Sequence, residues 1–316
     1  RASQFKAKGF TFDMGPSWYW MPDVFERFFN DFGKTRSDFY NIKKLDPGYR
    51  VVFDKKNQIQ IGDDLDKIAF EFEKIEKGSG KNLKIFIKKA KNNYELAVTN
   101  MLYKMPGKSI LELINIDTIF KTNLFFKNIK NDVEKNFKDQ RLRSILQFPV
   151  LFLGAKPSNT PAFYNFMNYA DFGLGTWQPK NGFYDVVKAM VGIGKHNGVK
   201  FHTNCDVQKI KVVNSEIDGI VINGDYKKCD ILISGADYEH TESLLEKKYR
   251  QYSTKYWANR TWSPSSLLFY LGLNKKLENL DHHNLFFDTD FNKHADEIYT
   301  NPKWPTDPLF YLNITS

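Results

Sequence analysis

The sequence predicts a mixed α/β chain of the α+β kind, with an α/β unit, a mixed or antiparallel sheet and a long helical insertion. Three observations carry this. First, a helical pattern in which Tyr184, Val187, Val191 and Gly194 share one face is followed by alternating stretches at 207–210, 217–222 and 229–234. Second, short strand-like runs occur early, at 49–53 and 59–61, and again late, at 267–273, 282–287 and 309–314. Third, residues 80–148 read as helix, with Leu113, Ile116, Phe120 and Leu124 recurring at spacings of three and four.

In chain order, Phe10 and Phe12 alternate with Thr11 and Asp13, the period of a half-buried strand, and Gly15-Pro16-Ser17 breaks it. A turn of Gly and Pro lets a flat ligand approach the backbone closely. Pro22 opens a helix whose apolar face is Phe25, Phe28 and Phe29, and Gly33 closes it. The strands at 49–53 and 59–61 are joined as a hairpin, and Leu65 begins another helix.

The helical stretch is strongly basic. Residues 81–130 hold ten lysines against three acids, a surplus of +7 within a chain of net charge +9. Two readings stay open: a domain helix with a solvated lysine face, or a peripheral membrane-binding surface. Asp139 and Arg143 follow, four apart and thus neighbours on one helical face. On a surface such a pair is a weak ion bridge; beside a ligand cavity it would be an acid/base group and its partner.

The Gly-punctuated loop 169–182 precedes the helix at 184. Ser234-Gly235-Ala236-Asp237 ends the strand run with small residues, where a cofactor meets strand ends in open α/β sheets.

Composition narrows the function. The chain has 316 residues, enough for two domains. At 41% hydrophobic and 16% aromatic it has material for a packed core, and its 28 Phe suit a core or an apolar ligand tunnel. The basic balance favours anionic partners, but no compact Arg-rich block points to nucleic acid. Cys205 and Cys229 form no CxxC pair, which fits a reducing cytoplasm. No run of 18 apolar residues occurs. GxGxxG, HExxH and GxSxG are all absent, and the adjacent His282 and His283 are expected on opposite faces of a strand, against a shared metal. The chain begins with Arg and ends within a predicted strand, so it is expected to be part of a longer one.

Several segments together resemble the bacterial phytoene desaturases, the flavin enzymes of carotenoid synthesis. They are Gly9 to Ser17, Asp139-Gln140-Arg141-Leu142-Arg143, Gly175 to Gly182, Asp206-Val207, Ser263 to Ser266 with Tyr270-Leu271-Gly272, and His282 to Phe287. Asn181 stands where the family usually has a Gly. The resemblance implies FAD as cofactor. It places Arg1 at the pyrophosphate, Gly15, Pro16 and Ser17 along the isoalloxazine ring, and Val207 beside the adenine, with Ala236 a further cofactor contact. It implies Asp139, with Arg143, as acid/base group, and no metal.

The expected organisation is a partial FAD-binding Rossmann-like domain from 1–20 and 175–242 and a substrate-binding sheet domain from 21–72 and 243–316. Residues 73–174 form the helical, membrane-facing region. The implied substrate is phytoene, the implied partner a membrane surface met peripherally, and the implied place the cytoplasmic face of the cell membrane. Other carotenoid or retinoid flavoenzymes, a ketolase, isomerase or saturase, and a membrane-surface module without chemistry are the competing readings.

Overall fold

The structure is a computed structural model that describes residues 2–104, 125, 127–260 and 262–315. The chain forms two compact units, one of Arg1–Gly192 with Pro264–Ser316, the other of Ile193–Ser263.

The first unit is built on a four-stranded sheet. The predicted hairpin is present as β4 (Tyr49–Val52) and β5 (Gln58–Ile61), antiparallel, with Val51 opposite Ile59. β10 (His283–Phe286) adds parallel to β4, and β11 (Phe310–Asn313) adds antiparallel to β10. Helices cover this sheet. α2 (Leu65–Ile75) begins at Asp64, whose carboxylate accepts from the Asp66 and Lys67 amides and so satisfies two orphan donors of the first turn. α3 (Ser79–Tyr94) packs closely on α2, because Gly80 sets its backbone against the Ala69 carbonyl, where any Cβ would lie 2.6 Å from the oxygen. α4 (Ile129–Asn136) and α5 (Gln140–Gln147) complete the layer.

One apolar cluster joins these elements: Tyr49, Val51, Ile59 and Ile61 of the sheet with Phe72, Leu83, Phe86, Ile129, Leu142, Ile145 and Leu285. Phe29, Phe72, Phe86, Phe137, Phe148 and Phe172 are all buried, so phenylalanine here builds core. Burying such side chains at roughly 25 cal/mol per Å² is the main force holding sheet to helices. The lysines of α3, Lys81, Lys84, Lys88, Lys89 and Lys91, face solvent. The apolar residues Leu113, Ile116, Phe120 and Leu124 of the expected membrane-facing insertion lie outside the described residues. Among the described residues no helix is long and apolar enough to cross a membrane.

Two small sheets flank this core. β1 (Ser3–Ala7) and β2 (Phe10–Met14) form a hairpin, and β3 (Ile42–Lys44) pairs with β6 (Trp177–Pro179). The predicted helix at Pro22 is α1 (Pro22–Asn30), and the one at Tyr184 is α6 (Tyr184–His196).

The second unit holds an antiparallel meander, β7 (Val207–Val213), β8 (Glu216–Ile222) and β9 (Asp225–Lys228). The mixed α/β class is borne out, but two predicted strands are not formed: residues 229–234 and 267–273 are irregular. Apolar alternation makes a strand only where a neighbour takes its backbone hydrogen bonds along its length; here the Cys229 amide reaches the Asp218 carbonyl of β8 at 3.3 Å, but among the described residues no ladder continues from it. Their apolar side chains are left outside, with Ile233 90% and Phe269 75% exposed.

Candidate functional site

Four stretches of the first unit converge: the turn after β2, the segment around β6, the start of β10, and β11. Asp13 at the end of β2 ties the first to the second. Its Oδ1 accepts from Gln4 Nε2 at 2.9 Å, and its Oδ2 from the Tyr184 amide at 3.3 Å. Gly182 passes so close that a Cβ there would lie 2.2 Å from Oδ2, and its φ of +95° is one that only glycine adopts without strain. Further along, the Trp177 amide donates to the Tyr19 carbonyl at 3.1 Å, and Trp20 Nε1 to Thr176 Oγ1 at 2.8 Å. β11 reaches the turn through Tyr311, whose hydroxyl donates to Ser17 Oγ at 3.1 Å. β10 reaches it through His283, which lies flat against Trp18 with centroids 4.2 Å apart and planes 11° from parallel.

The site is aromatic and low in charge. His283 is fully buried, and its Nδ1 lies 2.6 Å from the Tyr311 hydroxyl. Burial holds the His283 imidazole neutral, far below its ordinary pKa, and lowers His282 to about 4. Among the described residues the Nε2 atoms of both histidines and Oε1 of Gln178 are buried without hydrogen-bond partners. Under the aromatic layer lies a second polar pair: Tyr49 donates to Asp171 Oδ2 at 2.6 Å, and Trp18 meets the Tyr49 ring edge-on at 5.2 Å. Burial pushes Asp171 up to about 7, against the smaller opposing effect of the Tyr49 bond.

Gly15, at φ +112°, Pro16 and Ser17 stand at this convergence beside the 175–182 loop. In that loop Gly175 at φ +80° and Gly182 at φ +95° are both left-handed, while the Asn181 side chain donates Nδ2 to Asp185 Oδ2 at 3.0 Å. Val207 and Ala236 belong to the other unit, Val207 opening β7 and Ala236 in an irregular stretch before a short helix. Arg1 lies outside the described residues.

The expected Asp139–Arg143 pair is corrected. Asp139 is the N-cap of α5, one residue before the helix, so its side chain turns back over the first turn. There it accepts from the Arg141 amide at 2.9 Å and pairs with the Arg141 guanidinium at 2.8 Å. Arg143 instead donates Nε to the Phe137 carbonyl at 2.7 Å. The Arg141 bond holds Asp139 below the usual carboxylate range. His282 and His283 are corrected as well: their rings meet edge to face at 4.5 Å, because His282 precedes the strand and escapes its alternation. Among the described residues no three His, Cys, Asp or Glu side chains are grouped to hold a metal.

Trp18, Asp171, Gln178 and Tyr311 are site residues that the sequence reading passed over. Tyr311 sits on a predicted strand and carried no motif, and His283 entered only within the His282–Phe287 resemblance; only the pairing of β10 with β11 brings them to Ser17.

A flat conjugated ring with a polar edge fits this surface. Glycines with positive φ permit close approach, aromatic planes supply stacking faces, and the orphaned His283 Nε2 and Gln178 Oε1 offer hydrogen bonds. The description of flavin containing amine oxidoreductases matches residues 1–308, and the chain belongs to that family. The resemblance read from the sequence, and the flavin it implies, are thereby borne out.

Over 320 residues the chain is 37% identical to the carotenoid 3,4-desaturase of Haloarcula japonica, a match that covers 100% of this chain and 64% of that protein. It is 28% identical to the zeta-carotene-forming phytoene desaturase of Myxococcus xanthus, covering 99% of this chain and 60% of that one. The chain thus spans less than two thirds of the length of these relatives. An oxidoreductase structure from Methanosarcina mazei, 18% identical, superposes with a TM-score of 0.51 over 78% of this chain and 52% of that one, a likeness of fold alone.

Proposed function

We propose that the protein containing this chain is an FAD-dependent carotenoid desaturase, and that its substrate is phytoene or a closely related polyene hydrocarbon. The observation that carries the reading is the convergence of the Gly15–Ser17 turn, the loop before α6 and the Trp18–His283 stack on one aromatic surface. Flavin, when bound, supplies the two-electron acceptor for a hydride. The chain's own residues do the rest. Gly15 and Pro16 let the ring lie against the backbone, Ser17 faces it, and Asp13 locks the two ring-facing segments together. Val207 and Ala236 would meet the adenosine half, and Arg1 the pyrophosphate. Asp139, with Arg143, enters as a proposed acid/base group, although its carboxylate is already engaged by Arg141.

The similar proteins support the substrate class. The Haloarcula japonica relative is a carotenoid 3,4-desaturase and the Myxococcus xanthus relative a phytoene desaturase, and a new carbon–carbon double bond in a polyene is the chemistry their names share. Such a hydrocarbon has no polar handle, so apolar burial must bind it. It dissolves in bilayers, which favours peripheral attachment at a cytoplasmic membrane face through residues 81–130. The division into a cofactor domain (1–20, 175–242), a substrate sheet (21–72, 243–316) and a membrane region (73–174) belongs to this proposal.

Expressing the whole protein in a phytoene-accumulating host tests it. Hydrocarbons with lengthened conjugation are the expected product. Unchanged phytoene beside a flavin-loaded protein would overturn the substrate and leave a ketolase, isomerase or saturase.

A further inference from the structure

The turn that faces the proposed ring has little of its own to hold it. Residues 16–18 belong to no strand or helix, so no ladder of backbone hydrogen bonds fixes them. Gly15 at φ +112° precedes them and Met21 at φ +57° follows, both in positive-φ backbone. Where Ser17 and Trp18 stand is therefore set by what their side chains reach. Ser17 Oγ meets the Tyr311 hydroxyl at 3.1 Å, and Trp18 lies on the His283 ring.

Tyr311 is where these contacts meet. Its hydroxyl donates to Ser17 Oγ, lies 2.6 Å from His283 Nδ1, and is bonded by the Trp18 and Asn313 side chains as well. Asn313 in turn donates Nδ2 to the His282 carbonyl at 3.0 Å. One oxygen thus ties the turn, through Ser17 and Trp18, to β10 through His283 and to β11 through Asn313. The sheet end of the tie is firm: β11 pairs with β10 from Asn313 opposite His283 to Phe310 opposite Phe286, and β10 pairs onward with β4. The Tyr311 residue stays 37% exposed, so bonding of its hydroxyl rather than burial of its ring anchors it.

We infer that Tyr311 is a positioning residue for the hydride step: its hydroxyl pins the ring-facing turn to the β10–β11 side of the sheet, and so fixes the separation between flavin and hydrocarbon. The inference rests on the desaturase reading above, in which the turn meets the ring and the sheet meets the substrate. Tyr311 exchanges no atom and no electron with either; it sets a distance. Hydride transfer tolerates little slack there, since a misplacement of about 1 Å can cost about a hundred-fold in rate. A hydrocarbon carries no polar group by which the site could correct its placement. The register between cofactor turn and substrate sheet must therefore be built into the protein, and the Tyr311 hydroxyl is the atom that bridges the two.

The test uses the whole flavin-loaded protein with Tyr311→Phe, Ser17→Ala and the two combined. Tyr311→Phe keeps the ring and removes the hydroxyl; Ser17→Ala removes the other end of the same bond. Two readouts follow position rather than folding. One is the visible circular dichroism of the bound flavin, which its asymmetric surroundings induce. The other is the rate of flavin reduction by phytoene in a single turnover. The pin predicts an altered dichroism band in each variant. It predicts reduction slowed about ten-fold or more in Tyr311→Phe, with the phytoene concentration for half-maximal rate unchanged. Because both substitutions break one bond, the double variant should match Tyr311→Phe in both readouts, where independent effects would multiply. Parent-like dichroism and rate in Tyr311→Phe, whatever its thermal midpoint, would overturn the pin, and so would multiplying effects. Should Tyr311→Phe fail to retain flavin, Ser17→Ala decides on the same readouts. If hydrocarbon does not reduce the parent's flavin, the desaturase reading falls, while dichroism across the variants still judges the pin.

Discussion

Tyr49 and Asp171 share a 2.6 Å hydrogen bond in the core, one ring below the Trp18–His283 stack. Both side chains are essentially removed from water. A carboxyl placed there prefers its neutral form, and burial accordingly raises Asp171 from an ordinary 3.8 to about 7.

The sign follows by linkage. A carboxyl whose pKa is raised by folding holds its proton more tightly in the native state. Its contribution is therefore fully present below pH 3.8 and is lost as pH rises through about 7. Within that window the slope approaches about 1.4 kcal/mol per pH unit. Denaturant midpoints between pH 4 and pH 8 should fall for the parent, and Asp171→Asn should flatten the decline. An identical decline in the variant would show that other groups cause it.

Gly182→Ala adds a methyl group at φ +95° and directs it at the Asp13 carboxylate. Strain and displacement together should cost about 1–3 kcal/mol, with the loss concentrated where the turn after β2 meets α6. The flavin-to-protein ratio of the whole protein should drop by more than its thermal midpoint suggests. Full flavin retention would mean that the Asp13–Gly182 contact does not shape the site.

Much of the fold was legible because it is local. The β4–β5 hairpin, α1 from Pro22, α2 and α6 all follow from periodicity and turn residues. The Gly15-Pro16-Ser17 turn could be read as ligand-facing from its lack of bulky side chains. The partners of that turn could not. His283 and Tyr311 reach it through the pairing of β10 with β4 and β11, which no spacing in the sequence reports. The strands expected at 229–234 and 267–273 failed for the reverse reason: their pattern is apolar, but a strand also needs a neighbour that takes its backbone hydrogen bonds in a ladder, and among the described residues neither stretch forms one. Asp139 shows a further limit, since the spacing of four to Arg143 assumes both residues are inside the helix, whereas Asp139 caps it.

Asp139 offers a clean separation of structural from chemical roles. As N-cap of α5 it should contribute about 1 kcal/mol of stability, lost in Asp139→Ala and largely restored in Asp139→Ser, which caps as well. If capping and the Arg141 bridge are its whole role, turnover should follow stability across both variants. Turnover that collapses in Asp139→Ser at restored stability would mark a proton-transfer role instead.

The lysine face of α3 is the accessible part of the proposed membrane region. Changing Lys84, Lys88, Lys89 and Lys91 to Glu should weaken binding to anionic vesicles, since each lysine near such a surface is worth about 1 kcal/mol. Flotation should also decline with salt, as the screening length shortens to about 8 Å at 0.15 M. If the variant floats like the parent at low salt, the face is an ordinary solvated one.

The most direct test of the account is a single anaerobic turnover of the whole protein with its flavin oxidised, mixed with phytoene in detergent and followed by visible absorption. The account predicts that the flavin band near 450 nm bleaches (roughly two electrons per flavin, the hydride stoichiometry). Hydrocarbon absorption with a longer conjugated system should appear at the same rate. A flavin that stays oxidised in the presence of phytoene, or bleaches without any new double bond, would contradict it.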